Sequence, residues 1–256
     1  MNDLELQPAD GSAPASAGLS QWQRVTNTFT APSKTFEDIK RGNKSWWMPF
    51  VIFVVTGYIL LAAVALKIGM TQVVDNQIRL DPKAEERMAQ ATPEQREMGE
   101  KISLYITEGV FVANPLLVLA GIAVLSLGLW GTINFVFGGK ATFGSIFSVW
   151  FFAGLPGIIK PLLGTIVILA GAAPESFNIK NYAPTNAAAF LNPIETNKAL
   201  YTLLSSVDVV TIWTLVLLGM GTAIVAGVKR QSGYIAVFGW WAIFVLIGVG
   251  IAAITG

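Results

Sequence analysis

The chain has 256 residues, 53% of them hydrophobic and 13% charged, with a mean hydropathy of +0.58 and a net charge of +1. Soluble domains carry about 25% charged residues; here the few charges are segregated between long apolar runs, which points to a multi-span helical membrane protein and gives no nucleic-acid signal. With neither Cys nor His, disulfides, thiolate sites, a Ser–His pair, an HExxH zinc site and a haem His are excluded.

Residues 1–19 are acidic and then Ala/Ser/Gly/Pro-rich, without the apolar core of a signal peptide, and are expected to be a disordered tail. From Ser20 the character changes. Trp22, Val25 and Phe29 form one helical stripe, Pro32 interrupts, and Phe36 and Ile39 resume it among Lys34, Lys40, Arg41 and Lys44. Aromatics beside cations suit an amphipathic segment, 20–45, lying in the headgroup region; the plainer alternative is a linker into the first span. Trp46 and Trp47 then mark an interface, since indoles favour headgroup depth.

Five spans follow, at about 46–68, 110–137, 143–170, 202–228 and 234–254, making 46–256 one all-α polytopic membrane domain. Between the first two, loop 70–108 is polar, with eight acids against five bases. Asp81-Pro82 and Thr92-Pro93 read as helix starts there, Thr92 and Gln95 as a capping box. Gly138-Gly139-Lys140 is a tight turn. The third span holds Pro156, Lys160 and Pro161, which predict a kink. Loop 171–199 is polar, and Asn192-Pro193 with Glu195 suggests a short helix. The fourth span carries one charge, Asp208, and reads as the buried central helix. Within it Gly219, Ala223 and Gly227 share a face that lets another helix approach closely. Gly157, Gly164 and Gly171 in the third span, and Gly248, Ala252 and Gly256 in the fifth, suggest further seams, for packing within the chain or between chains.

The short segments carry the bases: Arg24, Lys34, Lys40, Arg41, Lys44, Lys140, Lys229 and Arg230 stand against only Glu37 and Asp38. The positive-inside rule therefore places the N-terminus in the cytoplasm and the C-terminus outside. With that topology Asn114, Lys160 and Asp208 fall at similar depth in the outer half. They form a candidate intramembrane polar cluster, either a polar or proton-linked site or a structural ion pair. No GxxxxGK[ST] or GxSxG occurs; no cofactor, metal or catalytic residue is assigned, and the chain is expected not to be an enzyme.

Phe29-x-x-Pro32-x-x-x-Phe36-x-x-Ile39, Trp46-Trp47-x-Pro49 and Asp208-x-x-x-Ile212-Trp213-x-Leu215-x-Leu217-x-Gly219-x-Gly221, with five spans, resemble the Yip (Ypt-interacting protein) domain family in its prokaryotic branch, over about residues 22–254. Eukaryotic members bind Rab-type GTPases and partner Yip-like proteins in vesicle trafficking. This chain has a short N-terminal region and lacks their DLYGP-type motif, so a Rab-type GTPase is not carried over as a partner. The prokaryotic branch carries no settled activity over; the leading expectation is a non-enzymatic protein of the bacterial inner membrane that organises membrane or membrane-protein assemblies, its N-terminal segment touching lipid or a cytoplasmic partner and its small-residue faces touching other helices. Its partners would be the lipid bilayer and a membrane protein or a second copy, with no nucleic acid. The alternative is a transporter or lipid-moving protein using the outer polar cluster.

Overall fold

A computed structural model describes residues 18–255; the expected tail, apart from Gly18 and Leu19, lies outside the described residues, as does Gly256. The described chain is all-α and polytopic, with five helical stretches long and apolar enough to cross a membrane. These are α3 (Trp47–Ala63) with a π turn at Val64–Ile68, α6 (Pro93–Gly131) with a π turn at Thr132–Val136, α7 (Phe143–Gly154) joined through a 3-10 turn to α8 (Ile159–Leu169), α10 (Val209–Ala226), and α11 (Arg230–Thr255). The remaining helices are α1 (Gln21–Thr30), α2 (Pro32–Lys40), α4 (Met70–Arg79), α5 (Pro82–Gln90) and α9 (Lys198–Ser206). One end of the bundle carries the tight turns around Gly138 and Val228 (the turn face); the other carries the two long loops (the loop face).

Local chemistry sets the helix starts. Ser20 with Gln23, and Thr92 with Gln95, close reciprocal capping boxes, while Asp81 and Thr142 cap α5 and α7. Pro32, Pro82 and Pro93 each open a helix where a missing N–H costs nothing. Pro115 instead lies inside α6, and the helix runs through it.

α10 is the axis of the bundle: 56% of its span is buried, against 6% of the α6 span and 11% of α11. Absent side chains let its neighbours in. A Cβ added to Gly233 of α11 would stand 2.2 Å from the Gly219 carbonyl oxygen and 2.8 Å from the Ala223 methyl. One added to Gly221 would stand 2.6 Å from Val149 of α7 and 2.8 Å from Phe36 of α2. The Gly219–Ala223 face is thus filled by this chain's own fifth span. Gly227 is not part of it: at φ +69° it ends α10 in a left-handed turn.

The structure differs from the sequence expectation at four other places. The fourth span is not one helix over 202–228: α9 ends at Ser206, Val207 and Asp208 leave the helical path, and α10 restarts at Val209. Residues 192–197 form turns rather than a helix, and the short 3-10 helix lies earlier, at Ala187–Phe190. Of the third-span glycines only Gly164 is a close approach, its added Cβ falling 2.6 Å from the Tyr182 ring; Gly157 faces open space and Gly171 turns the chain at φ +94°.

The fourth concerns α1 and α2. They form a helical hairpin packed into the bundle, with Phe36 and Ile39 fully buried in the core beside Val149, Phe152 and Leu217. These two residues do not face headgroups. Trp22 is 66% exposed, and Phe29 meets Trp213 edge-on with ring centres 5.9 Å apart. Ser33 contacts the Met220 sulfur. The hairpin's corner therefore lies beside the stretch between Trp213 and Met220, the middle of a helix about 27 Å long. Trp46 stacks on Phe151 at 5.0 Å, while Trp47 remains 54% exposed.

Candidate functional site

The break in the fourth span makes the site. With Val207 and Asp208 out of the helix, Asp208 becomes the cap of α10: its Oδ1 accepts the Thr211 N–H at 2.8 Å. A carboxylate there neutralises unpaired N–H groups and meets the positive end of the helix dipole. The third span is irregular at the same level. The 3-10 turn Leu155–Ile158, containing Pro156, leads into Lys160, whose Nζ lies 3.1 Å from Asp208 Oδ1 and 3.0 Å from Thr211 Oγ1. The long loop closes over both. Thr185 donates its hydroxyl to Asp208 Oδ2, Asn186 Nδ2 reaches the same oxygen at 3.5 Å, and the Val209 N–H donates to the Thr185 carbonyl at 3.1 Å. Asn186 is in turn held by Asn181, which reaches the Tyr201 hydroxyl at 3.1 Å.

Asp208 is 1% exposed and Lys160 30%. Both carboxylate oxygens are engaged by groups of this chain, so the buried charge is balanced and hydrogen-bonded, which a membrane interior demands. Chemically the arrangement ties two broken spans to the long loop that follows the third span.

Asn114 does not join it. Its amide lies opposite Gly57, where an added Cβ would be 3.8 Å from Nδ2, and it lines a cleft of about 540 Å³ between α3 and α6. Equal depth did not mean a shared side of the bundle. A second cavity of about 290 Å³, lined by Gly128, Trp150, Leu215 and Trp240 among other apolar groups, shares no lining residue with this cleft.

A further buried ionic centre escaped the sequence reading. Arg24, fully buried, lies in the N-terminal hairpin with its guanidinium 4.2 Å over the Phe152 ring centre. Its terminal nitrogens donate to the Ser45 carbonyl at 2.7 Å, the Asn43 carbonyl at 2.8 Å and Asn43 Oδ1 at 3.2 Å. Nε stands 3.4 Å from Asp38 Oδ2 without the alignment of a hydrogen bond. Asp38, also buried, accepts from the Leu19 N–H and from Asn43 Nδ2. Burial pulls the Arg24 guanidinium down from its ordinary value to about 10, and the Asp38 charge pulls it back up. The available signal was the spacing of Arg24, Val25 and Thr28, which share one helix face and are all buried.

No group of three or more acidic residues able to hold a metal occurs among the described residues. A family model described as the Yip1 domain matches residues 26–252. Neither the curated proteins nor the solved structures give a match.

Proposed function

This chain belongs to the Yip1 domain family, a non-enzymatic family of membrane proteins, and on that premise we propose that it organises membrane or membrane-protein assemblies through contacts made by its outer helices with lipid and with partner helices. The observation that carries this reading is the state of the polar site. Asp208 is saturated by Thr185, Asn186, Thr211 and Lys160 of the same chain, an arrangement suited to locking an architecture. Meanwhile α6 and α11 leave most of their apolar surface outward. We place the turn face in the cytoplasm of a bacterial inner membrane, because eight bases against two acids lie in the described segments there.

The absence of cysteine makes both parts testable with single introduced thiols. Thiols at Leu116 and Ile247, on the outward faces of α6 and α11, should crosslink to a partner or a second copy in native membranes. Capture of neither kind would count against the organising role. Labelling from one side should reach thiols placed at Ala91 and Ala187, and from the other at Lys140 and Ser232; reactivity of Ala91 and Lys140 from the same side would overturn the topology.

A transporter reading draws on one observation: the third and fourth spans both leave the α-helical path at the level of Lys160 and Asp208, as spans do around transported ions. Asp208→Asn would then abolish flux in a variant that still folds.

A further inference from the structure

We propose that the cleft between α3 and α6 holds one phospholipid of the loop-face leaflet, with its phosphate at Lys180 and Gln77 and an ester carbonyl on the amide of Asn114. The proposal needs only the chain's placement in a bilayer; it is independent of orientation and of the organising role.

Asn114 is the first reason. It is exposed on the cleft wall, opposite Gly57, which stands midway along Trp47–Ile68. No hydrogen bond from its side chain occurs among the described residues, so the amide is unpartnered inside a span, where an unpaired polar group is costly. Phe111 lines the same cleft, and Pro115 four residues on has no N–H to give its carbonyl. A polar occupant at this depth would complete the amide.

Shape selects the kind of occupant. The cleft measures about 540 Å³. A helix with its side chains is about 10 Å across, and such a cylinder would exhaust that volume within roughly 7 Å of its length, far short of a span. A glycerol backbone with the upper part of its acyl chains is narrow and flexible enough to enter from the side, the rest of the lipid staying in the surrounding bilayer. The polarity is also graded along the cleft. Gln77 of α4 and Lys180 of the long loop stand at the loop-face mouth, Asn114 lies midway, and Phe53 of α3 closes the inner end. Lys180 is exposed and has no ion pair among the described residues, which suits a phosphate at the mouth.

The experiment uses the full chain in nanodiscs of mixed phosphatidylglycerol and phosphatidylcholine, followed by native mass spectrometry after detergent stripping. The wild type is expected to keep one phosphatidylglycerol. Asn114→Leu keeps the side-chain volume and removes the amide, and retention is expected to fall about tenfold, the scale of one lost hydrogen bond. Gly57→Val fills the cleft; its added Cβ meets only the Asn114 amide at ordinary contact distance, so the fold should survive while the lipid is lost. Lys180→Gln should abolish the preference for the anionic lipid, whereas Lys83→Gln, a charge-matched change on α5, should not. Unchanged melting temperatures of the stripped variants separate lost binding from lost folding. Inorganic phosphate added to the stripped protein should not displace the bound lipid; if phosphate alone protects Lys180 from acylation as fully as lipid does, the site binds free anions and the proposal fails. Equal retention by wild type, Asn114→Leu and Gly57→Val would reduce the lipid to an annular one and overturn the site. So would disulfide formation between two copies of an Asn114→Cys chain, which would show a helix in the cleft.

Discussion

Among the described residues two ion pairs have a buried carboxylate, and they solve the same problem differently. Arg24 and Asp38 sit where a short polar hairpin enters the bundle; both are almost wholly removed from solvent, and the guanidinium spends its donors on backbone carbonyls at Asn43 and Ser45. Lys160 and Asp208 sit where two spans break, and a third of the lysine side chain still reaches the surface. A planar, permanently charged fork can hold several carbonyls in fixed directions, whereas a lysine is a point charge on a flexible stem that can withdraw to water. The hairpin therefore depends on its cation for shape, and the break depends on its anion.

The sharpest way to break that comparison is to remove Arg24. Arg24→Met should leave Asp38 buried without its cation and free the carbonyls of Asn43 and Ser45, at a cost of about 3–5 kcal/mol. Arg24→Lys should recover less than half of this, because an ammonium cannot reach Asn43 and Ser45 together. Thermal unfolding in detergent reads both; full rescue by lysine would show that only the charge matters.

Asp208→Asn comes next. It should cost about 2–3 kcal/mol, less than Arg24→Met, since Lys160 can withdraw toward the surface. Combined with Lys160→Met, the loss should be smaller than the sum of the two single losses by at least ~0.5 kcal/mol. A four-member thermal cycle checks this, and strictly additive losses would mean that the salt bridge contributes nothing to the break.

How much of this was legible in the sequence follows from the same contrast. Lys160 and Asp208 announce themselves because a charge inside an apolar run has few explanations, and their depths follow from counting residues at 1.5 Å each. Counting gives depth and not direction around the bundle, and for that reason Asn114 was grouped with them although it faces α3. The break itself left a readable trace: Ser205-Ser206-Val207-Asp208 is a stop and a cap inside a hydrophobic stretch, and an Asp ahead of a periodic run is a helix start. Arg24 and Asp38 left much less. In a segment already rich in polar residues one more charge carries no surprise, and an aromatic stripe beside lysines looks alike whether it meets headgroups or the inside of a bundle. Only the Gly221 gap, which admits Phe36, decides between them, and it lies almost two hundred residues away.

Smaller effects sharpen the picture of the break. Thr185→Val removes the hydroxyl donated to Asp208 while keeping the shape, and should cost about 1 kcal/mol. The same change in an Asp208→Asn background should cost measurably less, which a second thermal cycle would show.

The smallest expected effect belongs to Trp22, and it tests the hairpin from its outer side. Its indole is two-thirds exposed, whereas Phe36 on the adjoining helix is fully enclosed. If the hairpin is held by its inner face, as Arg24, Phe36 and Ile39 require, Trp22→Ala should change thermal stability in detergent by no more than about 0.5 kcal/mol. Phe36→Ala, leaving a cavity between α7 and α10, should cost about 3 kcal/mol or more. The outward ring should still report on its surroundings. In a variant whose other tryptophans are changed to phenylalanine, moving the protein from detergent into lipid nanodiscs should shift Trp22 emission to the blue if that face meets acyl chains or headgroups. Unchanged, solvent-like emission would place the outer face of α1 in water. A large loss of stability from Trp22→Ala would instead mean that the exposed side of the hairpin is covered by another molecule even in detergent, and the division between an inner, structural face and an outer, contact face would fail.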